Sequence, residues 1–234
     1  VMAGAYREWE KMITGRESGW PGTLFMGLFA VVALAHPMNG AWASATVVVV
    51  AVFIAIFVKA PNRHWRIAGV VFFSTVAIAF MAIRGSSAAG IWAGVFLATV
   101  VWLTDTGAYF VGRLVGGTKL SPDVSPSKTW SGAAGGLTLG TLGGMLVWWL
   151  ADLSLGTGSP AAIGLLIAVV VSISGQLGDL GESAVKRRFA IKDSGNIIPG
   201  HGGLMDRLDS LAVAAIVLWL IGLEDNSATT TDRP

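Results

Sequence analysis

The sequence predicts an all-α, polytopic integral membrane protein with about seven transmembrane helices, in a range of six to nine. Three observations carry this. Of 234 residues, 53% are hydrophobic and only 13% charged, against roughly 25% charged in an ordinary soluble domain. Apolar runs recur at 22–36, 42–58, 67–83, 89–112, 132–150, 161–179 and 210–222, most of them reaching the roughly 17–25 residues that a helix needs to cross hydrocarbon. Finally, with the N-terminus inside, all of the sixteen Lys and Arg residues except Arg84 and Arg233 fall on inner segments, the asymmetry that marks cytoplasmic loops.

The elements follow in order. Starting at Val1 rather than Met, the sequence reads as a trimmed chain or a fragment. "AYREWEKMITGRESGW" mixes both charge signs with aromatics and has no secretory apolar core, so it reads as an interfacial helix. Residues 1–88 comprise that helix and three spans. Residues 89–223 form a second membrane domain, with cytoplasmic loops at 113–131 and 180–209. Residues 224–234 are a polar, disordered tail. Cysteine is absent, which excludes disulfides, thiolate nucleophiles and cysteine-held zinc. With only His36, His64 and His201, a metal here is held by carboxylates, which favours a hard cation such as Mg²⁺. The basic residues are not interleaved with stacking aromatics in a soluble domain, so no nucleic acid is expected.

Ionisable groups at membrane depth are costly and mark function or pairing. Four stretches qualify. In "WLTDTGAYFVGR", Asp105 lies in an apolar helix, either satisfied by Thr104, Thr106 or Tyr109 or forming the wall of a polar cavity. In "SISGQLGDLGESAVKRR", a continued helix puts Asp179, Glu182, Ser183 and Lys186 on one face; the plain alternative is an amphipathic helix end with a Glu182–Lys186 or Glu182–Arg187 pair. In "HGGLMDRLDS", Asp206 and Asp209 stand one turn apart if helical, a spacing that suits a divalent cation between two repelling carboxylates, and the preceding glycines suit close approach to phosphate or a tight helix entry. In "KLSPDVSPSKTWSGAAGG", two Ser-Pro pairs stiffen a loop that carries Lys119 and Lys128, or the loop is basic only because topology requires it.

Taken together, the cytoplasmic ends of three spans hold carboxylates for a metal, cations for phosphates, and hydroxyls. That is the inventory of a charged active-site cavity for phosphoryl or nucleotidyl transfer, where a metal bridges phosphate oxygens and Lys and Arg neutralise developing charge. In a membrane setting, one substrate is expected to be a lipid and the other a soluble nucleotide or phosphate.

The run from Ser183 to Asp209 resembles the signature of the phosphatidate cytidylyltransferases, or CDP-diacylglycerol synthases. Its fixed positions are filled by Ser183, Lys186, Arg187, Lys192, Asp193, His201, Gly202, Gly203, Asp206, Arg207 and Asp209. "GQLGDLGES", "DTGAYFVGR" and "SPSKTWSG" are similar to the family's neighbouring segments, so the resemblance covers about Ala98 to Leu211. It departs at Ser131, where the family usually has an acid, and the chain is short for the family at its N-terminus. The resemblance implies attack of phosphatidate on the α-phosphorus of CTP, with Mg²⁺ required and a monovalent cation such as K⁺ sharing the site. It implies Asp179 and Asp206 as leading metal ligands, with Asp209 and Glu182 behind them. Asp179, Asp206, Lys186, Arg207 and Ser183 become the catalytic candidates. Lys186, Arg187, Lys192, His201, Gly202, Gly203, Ser125 and Lys128 become the substrate-binding candidates. It further implies a homodimer in the cell's inner (plasma) membrane with the site facing the cytoplasm.

Three competitors remain. A CTP-dependent polyprenol or phytol kinase would transfer the γ-phosphoryl group and is not expected to carry the full signature. A cation transporter using Asp105, Asp179 and Asp206 would need polar residues continuing to the outer side, where these spans are apolar. An inactive relative kept as a subunit would be consistent with Ser131 but not with an intact signature.

Overall fold

The computed structural model describes residues 1–15, 22–28, 31, 48–56, 62–195 and 203–231, with side chains through residue 222. Four helices in it are long and apolar enough to cross a membrane: α2 (Arg63–Arg84), α3 (Ala88–Val115), α4 (Trp130–Leu155) and α5 (Ala161–Arg188). They coincide with the runs expected from residues 67, 89, 132 and 161. The last expected run opens α6 (Asp209–Thr231), where the apolar part, Asp209–Gly222, is shorter. Helical backbone continues to Thr231, into the stretch the sequence assigns to a disordered tail. The first two expected runs fall partly outside the described residues; 22–28 and 48–56 are helical. Among the described residues there are thus four membrane-length helices where the sequence predicts about seven spans.

The chain divides into two compact units, Val1–Met81 with Val185–Leu208, and Ala82–Ala184 with Asp209–Pro234. In the first, α1 (Met2–Thr14) buries Ala5, Tyr6, Trp9, Met12 and Ile13 against Phe25, Val70, Phe73 and Met205. Tyr6 meets Phe25 and Phe73 edge-on at 5.8 and 6.0 Å, and Trp65 meets Phe189 at 5.4 Å, the geometry that aromatic quadrupoles favour. Trp9 packs against Gly69, where a Cβ would fall 2.2 Å from its ring nitrogen, and donates from Nε1 to the Trp65 carbonyl at 3.0 Å. This core also holds charge. Glu10 is 2% exposed and Arg66 3%; they form an ion pair, with Arg66 Nε donating to Glu10 Oε2 at 3.1 Å. Tyr6 donates to the same oxygen at 3.4 Å. Burial, then the Glu10 charge, push the Tyr6 phenol well above its ordinary range.

In the second unit α3 and α4 pack through glycine. Gly132, Gly136, Gly140 and Gly144 recur every fourth residue on α4, and a Cβ at Gly136 would lie 2.6 Å from the Thr104 carbonyl. Small residues at this spacing let two helices approach where no hydrophobic force separates protein from lipid. Thr104, buried in this contact, shares a 2.7 Å hydrogen bond with Ser172 of α5. Between α3 and α4 the Ser-Pro loop forms an antiparallel hairpin, β1 (Lys119–Ser121) and β2 (Ser125–Thr129), which pairs Lys119 with Thr129 and Ser121 with Ser125. Thr129 then caps α4, its hydroxyl accepting from Gly132 N at 3.1 Å, as an N-cap threonine does.

Because the α3–α4 contact is backbone against backbone at Gly136, Gly136→Val should cost about 2 kcal/mol or more from overpacking. Thermal unfolding in detergent would register this as a lowered midpoint. An unchanged midpoint would mean the helices do not meet through that face.

Candidate active site

In the second unit polar side chains of α3, α5 and the hairpin, with Gly132 and Ala133 of α4, surround a cavity of about 540 Å³. Asp105, Tyr109 and Arg113 line it from α3, Lys119, Ser127, Lys128 and Thr129 from the hairpin, and Gln176 and Asp179 from α5. Lys128 Nζ and Asp179 Oδ2 stand 2.6 Å apart, both side chains partly exposed to the cavity. Asp105 accepts from Ser210 Oγ at 3.4 Å and lies in electrostatic range of Asp179, Asp209 and Lys128. Arg113 donates to Tyr109 Oη at 2.9 Å. Gln176 precedes Asp179 by one turn and donates to the Ala133 carbonyl at 3.4 Å, joining α5 to α4. Cations and carboxylates thus face one another in a hollow bounded by apolar helices.

The first unit holds most of the charged signature. α5 stays helical through Arg188, so the spacing of Asp179, Glu182, Ser183 and Lys186 along one helix face is as expected. The helix ends where Ala190 adopts φ 54°, while Ile191 N bonds to Lys186 O at 3.0 Å and Ala190 N to Arg187 O at 3.1 Å, the six-to-one and five-to-two pair that closes helices. The chain then turns back on itself. Lys186 Nζ bonds to Asp206 Oδ1 at 2.8 Å, and Asp206 Oδ2 accepts from Gly203 N at 2.9 Å and Ser194 N at 3.1 Å. Burial pushes the Asp206 carboxyl up, but the hydrogen bond and charge of Lys186 and the two backbone N–H groups outweigh it and hold the group at about 2. From the other side comes Glu8 of α1, 2% exposed, which accepts from Leu204 N, Met205 N and Ser194 Oγ at 3.0, 2.7 and 3.2 Å.

Residues 1–223 match the cytidylyltransferase family. The chain belongs to the cytidylyltransferase family. Similar proteins include three named phosphatidate cytidylyltransferase: one from Brucella suis biovar 1 (strain 1330), 47% identical over 69% of this chain and 58% of its own length; one from Bacillus subtilis (strain 168), 43% identical over 62% and 52%; and one from Staphylococcus haemolyticus (strain JCSC1435), 45% identical over 58% and 50%. The chain therefore spans between half and three fifths of the length of these relatives.

In this member of the family the candidates read from the sequence are distributed as follows. Asp179 and Lys128 line the cavity together, joined by Asp105, whose hydroxyl partner is Ser210 rather than Thr104, Thr106 or Tyr109. Ser125 pairs with Ser121 in the hairpin, and the cavity is lined instead by Ser127 and Thr129. Glu182 and Ser183 are half-buried on α5. Asp209 opens α6, whereas Asp206 sits in a 3₁₀ turn, Met205–Arg207, so the two are not one turn apart on a single helix. Lys186, Gly203 and Asp206 meet in the first unit, where Arg187, Lys192 and Arg207 are exposed. His201 and Gly202 lie outside the described residues. Ser131, the departure from the family pattern, shares a 3.0 Å hydrogen bond with Thr129 and donates to the Gly116 carbonyl, a donation that an ionised acid could not make. Sequence reasoning missed Ser127, Thr129 and Gln176, although Gln176 was visible as a polar residue one turn before Asp179. It also missed Glu8 and Ser194.

Among the described residues no three acids or histidines gather tightly enough to hold an ion by themselves. Mg²⁺ does not need three, because it commonly takes one or two carboxylates and completes its shell with water and substrate phosphate. The Asp105 and Asp179 carboxylates, with hydroxyl and amide oxygens beside them, are hard donors of that kind.

A carboxyl held below its ordinary value near 3.9 stabilises the fold above that value, and the contribution disappears as pH falls through the folded one. Amide protection at Ser194 and Gly203 should therefore stay level from pH 7 to about 5 and fall between about 4 and 2. Protection already declining between pH 7 and about 5 would contradict the Asp206 pairing.

Proposed function

We propose that the protein to which this chain belongs transfers the cytidylyl group of CTP to phosphatidate, giving CDP-diacylglycerol and pyrophosphate in phospholipid synthesis. The observation that carries the proposal is the cavity lined by Asp105, Asp179, Lys128, Lys119 and Arg113 between membrane-length helices, in a cytidylyltransferase chain whose similar relatives are named for this reaction. A phosphate oxygen of phosphatidate attacks the α-phosphorus, the bond to the β-phosphate breaks, and pyrophosphate leaves. The attacking oxygen is already anionic, so no strong base is required and the protein's contribution is positioning and charge neutralisation.

Mg²⁺, when bound, neutralises phosphate oxygens and assists the leaving group. Asp179 leads the residues that would hold it, with Asp105 beside it in the cavity and Asp209 and Glu182 as further carboxylates. Asp206 would join them only by giving up Lys186 and two backbone donors. Lys119, Lys128 and Arg113 would take the triphosphate, and Lys186, Arg187, Lys192 and Arg207 would supply further positive charge for phosphate. By the resemblance, Ser183, His201 and Gly202 would contact substrate, and K⁺ would accompany Mg²⁺. The Lys and Arg asymmetry favours a cytoplasmic site in the inner membrane, and the resemblance a homodimer.

CTP labelled separately at the α- and γ-phosphates, incubated with the protein in detergent, phosphatidate and Mg²⁺, distinguishes the readings. Label from the α-phosphate should enter the lipid phase with pyrophosphate released, and Asp179→Asn should lower that rate about 10² or more. Transfer of γ-label to an added polyprenol would make the protein a lipid kinase, and no transfer would remove the proposal. Cysteines placed at 192 and 157 should be labelled from the cytoplasmic and the outer side respectively; the reverse would invert the topology.

A further inference from the structure

Glu8 lies on a helix that the sequence gives no part in the chemistry, yet among the described residues its side-chain hydrogen bonds all go to the signature loop. Oε1 accepts from Leu204 N, and Oε2 from Met205 N and Ser194 Oγ. With Gly203 N directed at Asp206, three successive amide N–H groups of the glycine turn end on carboxylates of the protein itself. The glycines on either side of this turn are explained by the same group. A Cβ at Gly195 would fall 2.5 Å from Glu8 Oε1, and one at Gly203 would fall 2.0 Å from Ser194 Oγ and 2.7 Å from Glu8 Oε2. A buried carboxylate without donors is costly, and so are buried N–H groups without an acceptor. Glu8 and the loop therefore need each other.

We propose that Glu8 is a positioning residue for the cytidylyl transfer. It holds Ser194 and residues 203–205 together from behind, while Asp206, bonded to Ser194 N, Gly203 N and Lys186, completes the turn from the other side. Its effect on the reaction passes through the placement of Asp206 and Lys186, and that part rests on the function proposed above. Its effect on the loop does not.

The test compares wild type with Glu8→Gln, Glu8→Asp and Ser194→Ala in the whole protein in detergent. It measures hydrogen exchange by peptide, and kcat and KM for CTP and phosphatidate. Gln removes one acceptor oxygen and turns an NH₂ group towards donors. Exchange at Leu204 and Met205 should then rise about tenfold or more, with α2 and α4 unchanged. kcat should fall about tenfold or more, as small displacements of reacting groups do, with little change in KM. Glu8→Asp keeps both oxygens on a shorter stem and should recover part of kcat. Ser194→Ala removes one donor and should shift both readings the same way by a smaller factor; it decides the matter if Glu8→Gln does not fold. Unchanged exchange at 204 and 205 would overturn the clamp, and raised exchange with wild-type kcat would overturn the link to turnover. If wild type transfers no cytidylyl group, the proposed function fails, while exchange still decides whether Glu8 holds the loop.

Discussion

A carboxylate taken out of water in an apolar chain costs several kcal/mol unless donors surround it, and this chain takes out several. Glu10 meets Arg66 and Tyr6, Glu8 meets two backbone N–H groups and a serine, Asp206 meets Lys186 and two more N–H groups, and Asp179 meets Lys128. These pairings decide which segments must come together within each unit. α1 is fixed to α2 through Glu10 and to the signature loop through Glu8. Lys128 of the hairpin meets Asp179 of α5 across the cavity.

The pairings differ in kind, and the difference separates framework from chemistry. Glu8 and Glu10 are almost wholly buried, and removing one partner of such a group leaves the other unsatisfied. Asp179 and Lys128 are each open to a cavity, where an ion pair in contact with water is worth little to stability. Under the proposed function such a pair would exchange partners, the carboxylate taking a metal and the ammonium a phosphate. The polar cavity is bounded by helices packed through glycine, so the lining rests on rigid backbone rather than on long side chains.

Much of this was legible in the sequence. Hydropathy located α2 to α5, because membrane-length apolar runs have few other uses; the signature picked out Lys186 and Asp206, and the charged helix end before it Asp179, because charge is rare elsewhere. Glu8 and Glu10 were not legible. They sit among Arg7 and Lys11 in what reads as a surface helix, and apart from Tyr6 their partners lie between 56 and 197 residues away. Local spacing also misled at Asp206 and Asp209, where a 3₁₀ turn replaces the α-helix that would align them. Ser125 was preferred to Ser127 because nothing in the string shows that the Ser-Pro loop pairs as a hairpin with Lys119 opposite Thr129.

The central claim is that the Lys128–Asp179 cavity receives the nucleotide. Equilibrium dialysis of labelled CTP with Mg²⁺ against the purified protein tests it most directly, without requiring turnover. The account predicts saturable binding of one CTP per chain, weakened about tenfold or more by Lys128→Ala, as loss of a charged contact to phosphate should do. Saturable binding with the same affinity in wild type and Lys128→Ala would place the nucleotide elsewhere and contradict it.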